Sequence, residues 1–198
     1  MELPQGHHLV YFPIQTPSAT GLMADGTDPD LAPPGGVYGR RMWAGGELRF
    51  SPATEGWKLD GRAGVSPARP DYSFTLIPDA MLLFHFSALT YNAHAIHLDP
   101  EYAREREGYK ERLVHGPLTL VLMLAALRAR LAPEEGGAYV KSIEYRNLAP
   151  LYVGEEMRVC VREMGADKGL EREKKWQVWV EGPEGGMAVK GTAVVLVI

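Results

Sequence analysis

A single cysteine, Cys160, occurs in 198 residues. No intramolecular disulfide can form, and a zinc site built on cysteines is excluded. Such a composition suits a reducing compartment. Long apolar runs are also missing, since none approaches the roughly 20 residues needed to span a bilayer. Basic runs are missing too: 21 Lys and Arg stand against 25 Asp and Glu, for a formal net charge of -4. With no basic stripe, nucleic acid is not an expected partner. The first forty residues hold no lysine and only Arg40 as a basic side chain, beside Asp25, Asp28 and Asp30. That is a poor match to a transit peptide or a secretory signal. A cytoplasmic protein is the expectation, with the mitochondrion as the alternative. What is present is enough for a core: 45% of residues are hydrophobic, and 23% are charged, which argues against global disorder.

The chain divides near residue 70. Residues 1–70 hold 9 of the 15 prolines and 11 of the 22 glycines and show no sustained helical or alternating pattern. Tyr11, Phe12, Tyr38, Trp43, Phe50 and Trp57 recur through this arm. A free linker rarely holds so many aromatics, so the arm is expected to lie on something. Beyond it, Ser73–Leu76 reads as a strand. Met81–Leu89 reads as a helix that is apolar on nearly every side and therefore well covered. Asp99-Pro100 is a helix start that Gly108 soon stops. Gly116-Pro117 opens a longer helix to Leu131 whose apolar character all round marks it as central and buried. Four strand-like runs follow, at Tyr139–Tyr145, Met157–Met164, Trp176–Glu181 and Met187–Val197, joined in part by hairpins. A buried helix followed by antiparallel strands implies an α+β fold with a sheet wrapped on a helix.

Chemistry concentrates in three pieces. Phe86–Glu101 reads FSALTYNAHAIHLDPE, Glu107–Tyr109 reads EGY, and Leu113–Leu118 reads LVHGPL. Together these resemble the hydratase-2 and MaoC-like dehydratases, which carry Asp-x-Asn-Pro-x-His-x-Asp and then an HG step into the long helix of a hot-dog fold. The likeness is closer to the subgroup of mesaconyl-CoA hydratases and type 2 hydroxyacyl-thioester dehydratases. That subgroup favours the wording SALTxNxHxIHxD, EGY and VHGPL.

The resemblance covers about residues 72–198 and implies a 1–70 arm and a 71–198 hot-dog domain. It also implies site residues. His97 falls on the catalytic histidine. Asn92 falls where most hydratases have a catalytic aspartate, and His94 falls on the usual asparagine. Gly116 falls on the glycine whose backbone N–H holds the thioester oxygen. His94, His115 and Leu118 are the candidates for binding substrate. No metal or redox cofactor is implied, the substrate being carried on coenzyme A or phosphopantetheine. A homodimer is implied as well, with Asn92 and His97 of one copy facing Gly116 of the other. In the arm, HHLVYF at 7–12, DGTDPD at 25–30 and RRMWAGGELRF at 40–50 resemble pieces of the N-terminal half of two-domain members.

The chemistry fits these residue types. Adding water across a 2-enoyl thioester needs a base for water, an acid for C2 and a donor to the thioester oxygen. A neutral imidazole can serve as base and then acid. A backbone N–H at a helix N-terminus can supply the third function. Pro117 has no N–H, so the donor is Gly116 or a residue before it. Asn at 92 can orient a water through its amide but cannot activate it by charge. Rival readings are a hot-dog thioester hydrolase, a dehydratase of secondary metabolism and a non-catalytic acyl-binding or scaffold subunit. Thioester hydrolysis usually wants a carboxylate near the helix, and none lies between Val114 and Leu131. Blander readings attach to other residues. His85 is expected to be exposed or structural, His7-His8 point apart in an extended chain, and Glu171–Lys175 reads as a solvated hairpin tip.

Overall fold

The computed structural model describes Leu22 and residues 45–49, 69–132, 137–166 and 173–197. The His7-His8 pair, the 25–30 segment and all six of the arm's aromatics lie outside the described residues.

Six strands form one antiparallel sheet: β1 Gly45–Arg49, β2 Tyr72–Leu76, β3 Ala138–Asn147, β4 Met157–Ala166, β5 Glu173–Glu181 and β6 Met187–Val197. Their spatial order is β1-β3-β6-β5-β4-β2. Helices α1 Ala80–Thr90, α2 Ala95–Leu98 and α3 Gly116–Leu131 lie between β2 and β3, with one π-helical turn at Tyr102–Arg106. The long helix α3 packs on β2, β3, β4 and β5. This is the α+β arrangement that the sequence implies, a sheet wrapped on one buried helix.

Alternate residues of the central strands face α3, while Cys160 and Trp179 between them are buried outside that core. On β5, Trp176, Val178 and Val180 are buried at alternate positions, and Val159 and Val161 do the same on β4. They join Leu120, Met123, Leu124 and Leu127 of α3 in one core. Each such side chain contributes roughly 1.5–3 kcal/mol when removed from water. Register shifts between Val140 and Ser142 and between Glu163 and Ala166 mark bulges that help bend the sheet around the helix. Arg128 and Arg130 sit in the last turn of α3, where positive charge suits the helix dipole.

Three local features differ from the sequence reading. First, α1 is not covered all round. Leu83, Phe86 and Ser87 are buried, but Met81, Phe84 and Leu89 are each more than half exposed. With His85 and Ala88, also exposed, they form one open stripe at helical spacing. The helix is apolar on both faces, so composition could not show that only one face meets the core. Second, Gly45–Arg49 of the arm pairs antiparallel with β3 over Ser142–Arg146. An unpaired strand edge accepts another strand wherever one can reach it, and a Gly-Gly sequence gave no strand signal. Third, Glu173–Lys175 belong to β5, where Glu173 pairs with Lys141 and Lys174 with Glu163. That part of the charged run is a strand end, not a free tip.

Gly191 of β6 illustrates how closely the strands approach. A Cβ added there would lie 2.8 Å from the Glu144 carbonyl oxygen and 3.2 Å from Cβ of Tyr145. The backbone of β3 would have to move. Gly191→Ala is expected to lower the unfolding free energy by about 1–3 kcal/mol, read as a lower urea midpoint at unchanged slope. An unchanged midpoint would show that the strands relax there at no cost.

Candidate active site

The site begins at the C-terminal end of α1. Asp79 caps its start, its Oδ1 accepting from the Leu82 N–H at 2.8 Å. Tyr91 ends it in the left-handed region at φ 53°, an unusual conformation for a residue other than glycine. This reversal lets the Asn92 N–H reach the Ser87 carbonyl at 2.9 Å. The Asn92 side chain then turns back on its own loop, and its Oδ1 accepts from the His94 N–H at 3.1 Å. That bond assigns the two ends of the amide: oxygen toward His94, leaving the NH2 as donor. His94 leads directly into α2, which carries His97.

His97 is buried against a fixed strap of backbone. Its Nδ1 lies 2.8 Å from the Leu113 carbonyl oxygen. Leu113 is itself held, because its N–H donates to the Ile96 carbonyl at 3.0 Å. On either side the strap is tied to the loop before β4, through Val114 N–H to the Leu151 carbonyl and Val153 N–H to the Arg112 carbonyl. A carbonyl only accepts, so Nδ1 of His97 carries the hydrogen. In the neutral ring Nε2 then keeps its lone pair. Burial holds His97 neutral, pushing its pKa down to about 4 from 6.5, against the raising effect of the Leu113 bond and with a further lowering from His94.

Three imidazoles meet here. His94 approaches His97 edge-on at 5.7 Å, and His97 stacks on His115 at 3.7 Å with 23° between the planes. His115 is fully buried, with Nε2 2.8 Å from Ser87 Oγ and its ring 5.0 Å from Phe86. Burial, followed by the neighbouring His97 and His94, pushes its pKa down to about 2. Gly116 follows at once as the first residue of α3, and it is partly exposed. The N–H groups of a first helical turn have no intrahelical acceptor; Gly116 and Leu118 bring one each, and Pro117 brings none. Leu118 is buried in the core below. Among the described residues, no group of three or more His, Cys, Asp or Glu side chains is arranged to hold a metal ion.

The structure thus brings His94, His97, His115 and Gly116 together within one chain, with Asn92 bonded to the His94 backbone. His97 stacks on His115, which precedes Gly116 of the same chain. Ser87 was missed in the sequence. It lies inside the quoted motif, but a serine on an apolar helix carries no signal of what its hydroxyl will meet.

Residues 6–62 and 57–153 match the family model of hydroxyacyl-thioester dehydratase type 2. The chain belongs to the hydroxyacyl-thioester dehydratase type 2 family. The match includes both the ring cluster and the arm.

Among its relatives is the mesaconyl-C(4)-CoA hydratase of Chloroflexus aurantiacus, 36% identical over 128 residues, which are 65% of this chain and 41% of that protein. A second is the mitochondrial hydroxyacyl-thioester dehydratase type 2 of Schizosaccharomyces pombe, 34% identical over 100 residues, or 50% of this chain and 33% of that one. The chain therefore spans less than half the length of the curated relatives it matches. Among solved structures, an (R)-hydratase of A. caviae superposes with a TM-score of 0.58 at 22% identity, covering 68% of this chain and all of that one. An (R)-hydratase of Pseudomonas aeruginosa gives 0.57 at 24% identity, covering 64% of this chain and 78% of that one. These likenesses show the fold, which is the hot dog.

The ring cluster makes stability depend on pH. Both folded-state pKa values lie below the unfolded value of 6.5. The unfolded chain therefore binds more protons between pH 6.5 and 4, and stability falls as pH falls through that window. At pH 5 the loss is about 2 kcal/mol for each ring. Urea unfolding at pH 7 and pH 5 should show this loss, and His97→Gln should remove about half of the part due to the two rings. The same pH dependence in both proteins would mean that His97 is not held neutral by the fold.

Proposed function

We propose that the protein is a hydro-lyase adding or removing water across the 2,3-bond of an acyl thioester. The observation that carries this reading is His97: neutral, oriented by Leu113, and placed beside the open start of α3. In the hydration direction, the water oxygen bonds to C3 while His97 Nε2 takes a proton from that water. The electron pair of the double bond moves toward the thioester carbonyl, whose oxygen receives the Gly116 N–H. His97 then returns the proton to C2, so H and OH are added and the imidazole is regenerated. Dehydration runs the same steps backward. No electrons leave the substrate, so the reaction needs no redox cofactor. The Asn92 NH2 donates to the oxygen of the water or the 3-hydroxyl and holds it in place. The acyl group rides on coenzyme A or on the phosphopantetheine of a carrier protein.

A non-catalytic acyl-binding subunit would need none of this arrangement, and burying an imidazole in a fixed tautomer is a cost without a use in a scaffold. A homodimer belongs to the same reading. The open stripe Met81, Phe84, Ala88 and Leu89 on α1 is a surface that a second copy would cover.

Four measurements test the reading. A panel of 2-enoyl and 3-hydroxyacyl thioesters, on both carriers and with mass detection, should reveal a change of 18 mass units, the mass of water, on at least one. His97→Ala should lower that turnover by roughly two to four orders of magnitude with circular dichroism unchanged; near-normal turnover in the folded variant overturns the mechanism. Asn92→Asp keeps an acceptor for the His94 N–H but loses the NH2 donor, so activity should fall, and activity kept or raised in the folded variant would refute the role given to Asn92. For the assembly, light scattering should find a dimer that Phe84→Glu weakens, and a stable monomer at micromolar concentration refutes it.

A further inference from the structure

Ser87 is a buried hydroxyl on a helix whose other buried residues are Leu83 and Phe86. Its Oγ meets Nε2 of His115 at 2.8 Å. His115 has no exposed surface, and its Nδ1 has no hydrogen-bond partner. A buried polar nitrogen without a partner is costly, and a Phe or Leu at 115 would fill the space without that cost. None of the His115 surface is open. Its ring meets His97, face to face at 3.7 Å. The His115 ring also meets Phe86, centroid to centroid at 5.0 Å and tilted by 58°.

His97 is therefore fixed twice. Its edge is held by the Leu113 carbonyl and its face by His115, which α1 anchors through Ser87 and Phe86. An edge bond alone leaves the ring free to rock about the Nδ1–O line, and the stack removes that freedom. We propose that Ser87 and His115 are positioning residues, a buried hydroxyl–imidazole pair that fixes the plane of His97 and so aims its Nε2 at the reacting atoms. The proposal rests on the reading of His97 as the acid–base group. The stack has a second consequence: it keeps water off one face of His97. The titratable groups in ring contact with His97 are His94 and His115, both imidazoles. Neither brings a fixed negative charge to favour the protonated ring.

The test separates positioning from a purely structural role. Imidazole titrations are followed by NMR in the wild type, Ser87→Ala and His115→Gln, together with kcat and KM on whichever thioester the wild type converts. In Ser87→Ala the ring stack loosens and water enters. The His97 midpoint should then rise by about one pH unit toward its ordinary value, and kcat should fall roughly tenfold with KM within about twofold. His115→Gln can still bond Ser87 but offers no ring, so it should show the same two changes. A folded Ser87→Ala protein with unchanged His97 titration and unchanged kcat overturns the proposal, and that variant decides alone if His115→Gln does not fold. The titration is read without substrate. If the wild type converts no thioester, the functional reading fails while the His97 midpoint still decides whether the pair holds the ring.

Discussion

The hydrogen bond between His97 Nδ1 and the Leu113 carbonyl is the constraint on which the site depends. It selects the tautomer, and the tautomer decides that Nε2 is a base. It also joins two parts of the fold that are distant in sequence. Leu113 belongs to a strap held by Ile96 on one side and by the loop through Leu151 and Val153 on the other. The same strap runs straight into α3, whose core packing fixes its direction. His97 and the N-terminus of α3 are thus set by one piece of backbone. A shift of that strap would move His97 and the N-terminus of α3 together, and a buried imidazole nitrogen left unpaired would add about 1–3 kcal/mol of cost.

Burial shapes the chemistry as well as the geometry. An imidazole with a pKa near 4 is wholly neutral at ordinary pH. It is a weaker base than a free histidine, but its conjugate acid is correspondingly stronger. On the proposed mechanism, a proton taken from water would therefore be held loosely and would pass readily to C2. The stacked His115, pushed still lower, stays neutral while His97 is transiently charged. Its polarizable ring face meets the developing imidazolium without adding a like charge.

Much of this was legible in the sequence, for physical reasons that can be named. The segment from Ser87 to Asp99 and the His115-Gly116-Pro117 step carry residue types whose chemistry is specific, and Gly-Pro before an apolar run marks a helix start that propensity alone predicts. The long helix and the four strands after it follow from periodicity. What escaped depends on tertiary neighbours. Ser87 looks like filler until His115 is placed against it. The open face of α1 is invisible because Met81 and Phe84 are as apolar as Leu83 and Phe86, and a helix apolar on two sides does not say which one meets the core. Strand β1 has a Gly-Gly start and no β-branched residue. It exists because β3 presents an unpaired edge.

Asn92 completes the electrostatic argument. A carboxylate at this position, beside His94, would favour protonated imidazoles and draw their pKa values upward. With an amide there, no negative charge enters the ring cluster from this loop. His97 and His115 can then sit face to face as uncharged groups, in a contact that two imidazoliums would not tolerate. The amide still does one thing that a carboxylate does only when protonated: it donates a hydrogen bond to oxygen. The neutral cluster and the Asn at 92 are therefore two sides of one choice. On the proposed mechanism, water would be aligned by donated hydrogen bonds and the proton transfer would fall to one buried, well-fixed imidazole.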